Sequence, residues 1–446
     1  MLDPNTIAAG ILMLAVLFTA FLAMAKYEVP QALTMAVVAC VFLFIQGPEG
    51  DKILQGAFGH FSEIAILFTA VAIPAHMLDR SQGLQWLAAG MGRRLGVFTL
   101  RYPRLAVPMM VGGILLTTMV LASLLHNVTS ILIMTPIIIR LCSKYEIPSR
   151  WILCGALVAS NLGGFSTKWG DTPNIIESKM WNLQIMDFTR EAQPANFIVL
   201  SILILVVLCL TLISMRAGGD AESSYRDTYT EPLKVARLAC DYGSEQAYMR
   251  VDRRLLLSGL TVLSIFIAAQ ALFSQLQIAL GALAIMAGVL LERNDDRLNT
   301  LKSLGYDVYL VFASIFIIAG CVEHSWIGAI LQRLVSNTGT APWAIALTGY
   351  LGTAFTEAAS WATAASSQIQ PLDNTHTAAW ALGGGICAGS SSILTAASAG
   401  IILWEESCRS KDPKHMITFG RYLPFGISFS LIMLLFYGLF FTLVRY

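Results

Sequence analysis

Charge is scarce in this sequence. Only 13% of its 446 residues are Asp, Glu, Lys or Arg, while 56% are hydrophobic. An ordinary soluble domain carries about 25% charged residues, so a soluble enzyme is a poor fit, and the same balance excludes a disordered chain. The formal net charge is +1, which supplies no field for holding nucleic acid. The eight Cys, at 40, 142, 154, 209, 240, 321, 387 and 408, form no Cys-x-x-Cys pair and lie mostly in apolar runs. They read as small apolar packers, not as disulfides or metal ligands. Asp3 precedes the first apolar run, with no Lys or Arg beside it, so the basic start of a signal peptide is missing. No His-Glu-x-x-His helix and no Gly-x-x-x-x-Gly-Lys-Ser/Thr loop occur. A zinc protease and a nucleotide-driven pump thus lack their characteristic residues. The expectation is a protein that is not an enzyme and carries no cofactor.

What the sequence does have is long uncharged runs. A bilayer core of about 30 Å takes about 20 apolar residues in a helix. Asn5–Ala25, Val29–Pro48, Ile64–Leu78, Phe197–Met215, Val308–Val322 and Tyr422–Val444 read as spans. Leu255–Leu291 is too long for one helix and reads as two, with a turn near Ser274–Gln277. Four other stretches are interrupted. Residues 105–139 contain His126; residues 151–176 contain Gly163, Gly164, Lys168, Gly170, Asp171 and Pro173. Residues 334–372 contain Glu357; residues 374–404 contain Gly383–Gly385 and Gly389–Ser392. Interrupted hydrophobic segments at corresponding places in two halves point to a transporter's binding site.

The order of these segments repeats. The unit Phe61–Met215 matches Tyr306–Val444: a span, an amphipathic stretch, a hairpin-like segment, a glycine-broken segment and a plain span. The fold class expected is an all-α polytopic membrane protein with about ten spans and two re-entrant hairpins. Its layout is an extra N-terminal span (1–28), a first repeat (29–215, hairpin 105–139, broken helix 151–176), a linker (216–254) and a second repeat (255–446, hairpin 334–372, broken helix 374–404). Positive charge orients it. With Arg80–Arg104 and the linker in the cytoplasm, 23 of the 29 Lys and Arg fall on that side, five outside, and Lys168 within the membrane. That bias follows the positive-inside rule, places the protein in a bacterial inner membrane with the linker cytoplasmic, and makes the two repeats inverted.

Few ionisable residues remain at membrane depth, where each is a functional candidate. His126 and Asn127 sit at the first hairpin tip, followed by Thr129; Thr356 and Glu357 sit at the second, followed by Ser360. Asn161, Thr167, Lys168, Asp171 and Asn174 lie in the first broken segment, and Ser390, Ser391, Thr395 and Ser398 in the second. A helix broken inside the membrane exposes N–H groups at one new end and C=O groups at the other. The positive ends suit an anion, and carbonyls with Ser, Thr and Asn oxygens suit Na⁺. We assign His126, Asn127, Thr129, Lys168, Thr356, Ser390 and Ser391 to the substrate. Glu357, Asp171, Asn161, Thr167, Asn174, Ser360, Thr395 and Ser398 are assigned to the coupling ion, Na⁺ or H⁺. Plainer roles exist. Lys168 and Asp171 stand three apart and could pair on one turn, and the Asn, Ser and Thr residues could simply cap broken helices.

These segments resemble those of the ion transporter superfamily, which holds the ArsB and NhaD permeases, the citrate carriers and the divalent anion/sodium symporters. His126-Asn127-Val128-Thr129 is similar to the family's hairpin tip. Gly163-Gly164 through Gly170-Asp171-Thr172-Pro173-Asn174 is similar to its broken helix, and Gly389–Gly400 to its glycine- and serine-rich segment. The sequence departs from the pattern at His126, where NhaD-type antiporters have an acid, at Ala358, at Thr172 and at Lys168. The resemblance implies a secondary transporter working by an elevator-like or rocking motion, commonly as a homodimer. With Lys168 and His126 among half-helix ends, the expected substrate is a small anion, an organic carboxylate, coupled to Na⁺ or H⁺. The alternative is Na⁺/H⁺ exchange of the NhaD type.

Overall fold

The structure is a computed structural model. It describes residues 4–27, 31–83, 105–145, 147–168, 170–217, 247–248, 250–273, 276–292, 306–326, 341–355, 358–370, 373–410, 412 and 414–444, with scattered positions between 86 and 102 and at 240 and 333. Among these residues there is helix and no strand. That is the expected outcome for long uncharged runs in lipid, where intrahelical bonding satisfies every N–H and C=O within one segment.

Three helices open the chain: α1 (Pro4–Tyr27), α2 (Gln31–Gln46) and α3 (Gly50–Arg80). At 31 residues α3 is twice as long as the 64–78 run that predicts it; its polar start is helical although it is not apolar. After residue 104 come α4 (Ala106–Leu125), α5 (Asn127–Lys144), α6 (Ser149–Phe165), α7 (Thr172–Met180) and α8 (Gln193–Ala217). The second half holds α9 (Arg253–Leu272), α10 (Gln277–Leu291), α11 (Tyr306–Glu323), α12 (Pro342–Phe355), α13 (Ala358–Ile369), α14 (His376–Ser390), α15 (Ser398–Arg409) and α16 (Phe419–Leu443). The 255–291 run divides into α9 and α10 as expected from its length. Most of the linker 216–254 lies outside the described residues.

The helices form two groups. Buried Met13, Met35, Phe42, Ile53, Ile318 and Cys321 join α1, α2, α3 and α11. Ala70 and Leu78 of α3 pack with Val262, Leu263 and Phe266 of α9 and Ala284 of α10. The larger core lies among α4–α8 and α12–α16. There the partners recur: α4 packs on α6 and α8, and α12 on α14 and α16. Likewise α5 packs on α15 and α13 on α7, so each half hands one helix to the other.

Apolar stripes cover the outside. On α16, Leu431, Leu435, Leu439 and Leu443 are all exposed at four-residue spacing. On a soluble protein such a stripe would demand a partner; here lipid covers it. Residues 32–59, 106–124, 188–215 and 419–443 are long and apolar enough to cross a bilayer. The protein is therefore an integral membrane protein.

The glycines do something other than break helices. Gly163 and Gly164 lie inside α6, and Gly383, Gly384 and Gly385 inside α14. The sequence reading that set helix breaks at these glycines is corrected: the breaks begin after Phe165 and Ser390, at polar residues. A Cβ on Gly163 would run into the carbonyl of Met119 on α4, and one on Gly385 into the carbonyl of Ala346 on α12. Small residues thus let the backbones of α6 and α4, and of α14 and α12, approach closely.

Candidate functional site

Among the described residues, three interruptions carry candidate residues. The first is one residue long. His126 stands between α4 and α5 with φ 78° and ψ 146°, a backbone region that is nearly glycine-only and costs on the order of 1–3 kcal/mol for other residues. The conformation turns the chain so that Asn127 begins a new helix. The Asn127 N–H donates to the Gly170 carbonyl (3.0 Å), pinning this tip to the second interruption. The Asn127 side-chain oxygen accepts from the Val128 N–H (2.7 Å), and Ser130 Oγ donates to the Asn127 carbonyl (2.8 Å).

The second interruption, 166–171, separates α6 from α7. Asn174 closes it: its Nδ2 donates to the carbonyls of Gly164 (2.7 Å), near the end of α6, and Thr167 (2.8 Å), just beyond it. Thr167 Oγ1 donates to Ser123 of α4 (2.8 Å). Asp171 is the N-cap of α7, accepting from the Thr172 N–H (2.8 Å). Gly170 fits because its Cβ position is occupied by the Gly164 carbonyl and the Thr167 hydroxyl. The Lys168–Asp171 ion pair, the plainer alternative for these two residues, does not form. Asp171 turns back to cap its own helix, and Lys168 remains half-buried with no ion pair among the described residues.

Thr356 and Glu357, between α12 and α13, lie outside the described residues, as does the side chain of Ser360. The third interruption separates α14 from α15. Ser390 and Ser391 both donate to the Cys387 carbonyl (2.9 Å each) and Ser392 to the Gly389 carbonyl (2.6 Å), so three hydroxyls cap the end of α14. Thr395 is buried in a short turn, and Ser398 opens α15 half-buried.

A chain of amides joins the interruptions. Asn127 Nδ2 reaches Asn161 Oδ1 (3.5 Å), and Asn161 Nδ2 donates to Ser391 Oγ (3.1 Å). Tyr422 donates to the Ser391 carbonyl (2.6 Å). Of the residues predicted from sequence, the structure brings His126, Asn127, Asn161, Thr167, Asp171, Asn174 and Ser391 together. Buried Thr129 leaves its Oγ1 without a hydrogen-bond partner. Neither His126 before α5 nor Ala397 before α15 caps its helix with its own side chain; at α5 the first two N–H groups go to the Gly170 carbonyl and the Asn127 side chain, and these two helices pack together.

The sequence reading missed several residues by very little. Asn196 stands one residue before the 197–215 span; its Nδ2 donates to Ser166 Oγ (2.8 Å) and its Oδ1 accepts from Tyr437 (2.6 Å). Glu177 stands one residue after the 151–176 segment and is completely buried. A polar residue at the edge of an apolar run was the available signal. Glu191, which accepts from Trp380 Nε1 and faces His376 (3.7 Å), was hidden because its partner lies far along the chain.

Known proteins carry similar sequences. The magnetosome protein MamN of Magnetospirillum gryphiswaldense is 26% identical over 88% of this chain and 87% of its own length. An uncharacterized transporter of Mycobacterium tuberculosis is 26% identical over 62% of this chain and 59% of its own. The human P protein is 32% identical over 22% of this chain and 11% of its own. The family model for citrate transporters matches residues 7–385, nearly the whole chain, and fits the superfamily resemblance read from the hairpin tip and broken helix. Transporter relatives and a membrane fold point to a secondary transporter, and the chain belongs to the citrate transporter family.

Proposed function

We propose that this protein moves a small organic carboxylate anion across a bacterial inner membrane, coupled to Na⁺ or H⁺. The observation that carries the reading is the Asn127–Asn161–Ser391 chain, which joins both halves beside the N-termini of α5 and α15, neither of them capped by the side chain of the residue before it. Such ends attract carboxylates, and Lys168 and His126 add the two basic side chains of this region. Thr129, Ser390 and Thr356 complete the substrate contacts. Asp171, Asn161, Thr167, Asn174, Glu357, Ser360, Thr395 and Ser398 serve the coupling ion. The recurring helix partners support two inverted repeats with re-entrant hairpins at 105–139 and 334–372. In this reading the core of α4–α8 and α12–α16 moves against α1–α3 and α9–α11, in an elevator-like or rocking step, with the protein working as a homodimer.

The test is transport in proteoliposomes containing a pH dye. Citrate and a panel of other carboxylates are added with and without a Na⁺ gradient. Proton or Na⁺ movement only when a carboxylate is present supports the reading and identifies the substrate. Proton movement driven by a Na⁺ or Li⁺ jump alone replaces it with Na⁺/H⁺ antiport, and makes Lys168 structural.

A further inference from the structure

We propose that Glu177 is a proton-binding site of the transporter, a carboxylic acid that is neutral when nothing else occupies its surroundings. The proposal deepens the transport reading above, because it names the proton as a coupling ion.

Glu177 lies in the second turn of α7, with no solvent exposure, and neither carboxyl oxygen has a hydrogen-bond partner among the described residues. Its surroundings are the reverse of a cation cage. Gly383 of α14 makes room for it: a Cβ there would stand 2.6 Å from Glu177 Oε2 and against the Phe165 ring. Helix α7 packs on α13 and α14. Helix α13 has no titratable residue along Ala358–Ile369, and α14 turns Cys387 toward this region. On its own segment Asp171 is the charged neighbour among the described side chains; that of Lys179 lies outside them. No Lys, Arg or His faces Glu177 among the described residues.

An ionised carboxylate taken out of water with neither a donor nor a cation is not compensated. The two acids divide the labour. Asp171 receives the Thr172 N–H and faces the Asn127 amide, contacts that favour a carboxylate; Glu177 receives neither, so it is the better holder of the proton. Paired titratable groups with opposite surroundings are a recognised way of separating charge roles. The step is simple in its balance: the Glu177 O–H bond breaks, the proton passes to water entering from one side, and the carboxylate takes a proton back on the other. Gly383 and the Phe165 ring, which stand beside the Glu177 carboxyl, offer Na⁺ no side-chain oxygen.

Infrared difference spectra of wild type minus Glu177→Gln, in detergent at neutral pH, test the site without any transport. A band of a protonated carboxyl C=O in the difference is the expected result. A difference showing only ionised carboxylate bands overturns the proposal. A second measurement needs no variant: dicyclohexylcarbodiimide, which modifies protonated buried carboxyls, should label Glu177 in the wild type, as read by peptide mass spectrometry. No label on Glu177 overturns the assignment. In proteoliposomes, Glu177→Gln should keep citrate counterflow and lose citrate-dependent proton movement at least tenfold; full proton movement in the variant overturns the coupling role. A wild type that never moves a carboxylate defeats the transport reading instead, while the infrared band still decides Glu177.

Discussion

Asn161 donates to Ser391 across 230 positions of sequence, from the middle of α6 to the end of α14 (Nδ2 to Oγ, 3.1 Å). Both residues are buried. One hydrogen bond therefore joins the two broken helices, and through Asn127 it reaches the first hairpin tip as well.

Asn161→Ala leaves the Asn127 amide and the Ser391 hydroxyl facing a gap. Losing a buried partner costs about 1–3 kcal/mol, so the thermal midpoint in detergent should fall by several degrees. Uptake of whichever carboxylate the panel identifies should fall at least tenfold. Ser391→Ala should be milder, because its backbone carbonyl still receives Tyr422.

His126 separates backbone from chemistry. Its φ of 78° suits glycine. His126→Gly should therefore leave the melting temperature unchanged or raise it, by the equivalent of about 1 kcal/mol, and abolish transport if the imidazole meets substrate. His126→Ala keeps the strain and should melt lower than the glycine variant. Equal uptake by all three proteins would remove His126 from the site.

The close helix contacts predict a steep penalty for one methyl. Gly385→Ala presses on the Ala346 carbonyl, and Gly163→Ala on the Met119 carbonyl. Backbone cannot yield as a side-chain tip can, and overpacking costs typically about 1–3 kcal/mol. Size-exclusion profiles and thermal shifts of the two variants should show it. Gly56→Ala, with nothing within 4 Å of its Cβ position, is the control and should be silent.

Lys168 forms no ion pair among the described residues. Lys168→Met should accordingly leave stability within about 0.5 kcal/mol, as for substitutions away from buried networks, and abolish anion uptake. A variant that transports normally would show the lysine to be a bystander.

Orientation can be read from a native cysteine. Cys240 is exposed in the linker. A membrane-impermeant maleimide should label it in inside-out vesicles and not in right-side-out ones. The opposite pattern would reverse the topology inferred from positive charge.

The sequence by itself determined a great deal here. Apolar run lengths fixed which segments become helices, because a helix is the only way such runs satisfy their backbone. The split of 255–291 was legible from length. His126 and Asp171, as polar interruptions in apolar runs, marked two of the breaks. The glycines misled, because sequence records that a side chain is missing and not what fills the space: Gly163 and Gly385 serve neighbouring backbones inside intact helices. Sequence spacing also suggested that Lys168 and Asp171 would pair, but Asp171 found a nearer donor in the N–H of Thr172. Only the tertiary structure set Asn161 against Ser391 and buried Glu177 beside Gly383. Those relations depend on which helices pack together, and long-range packing follows from the summed fit of many surfaces, which no local pattern of residues records.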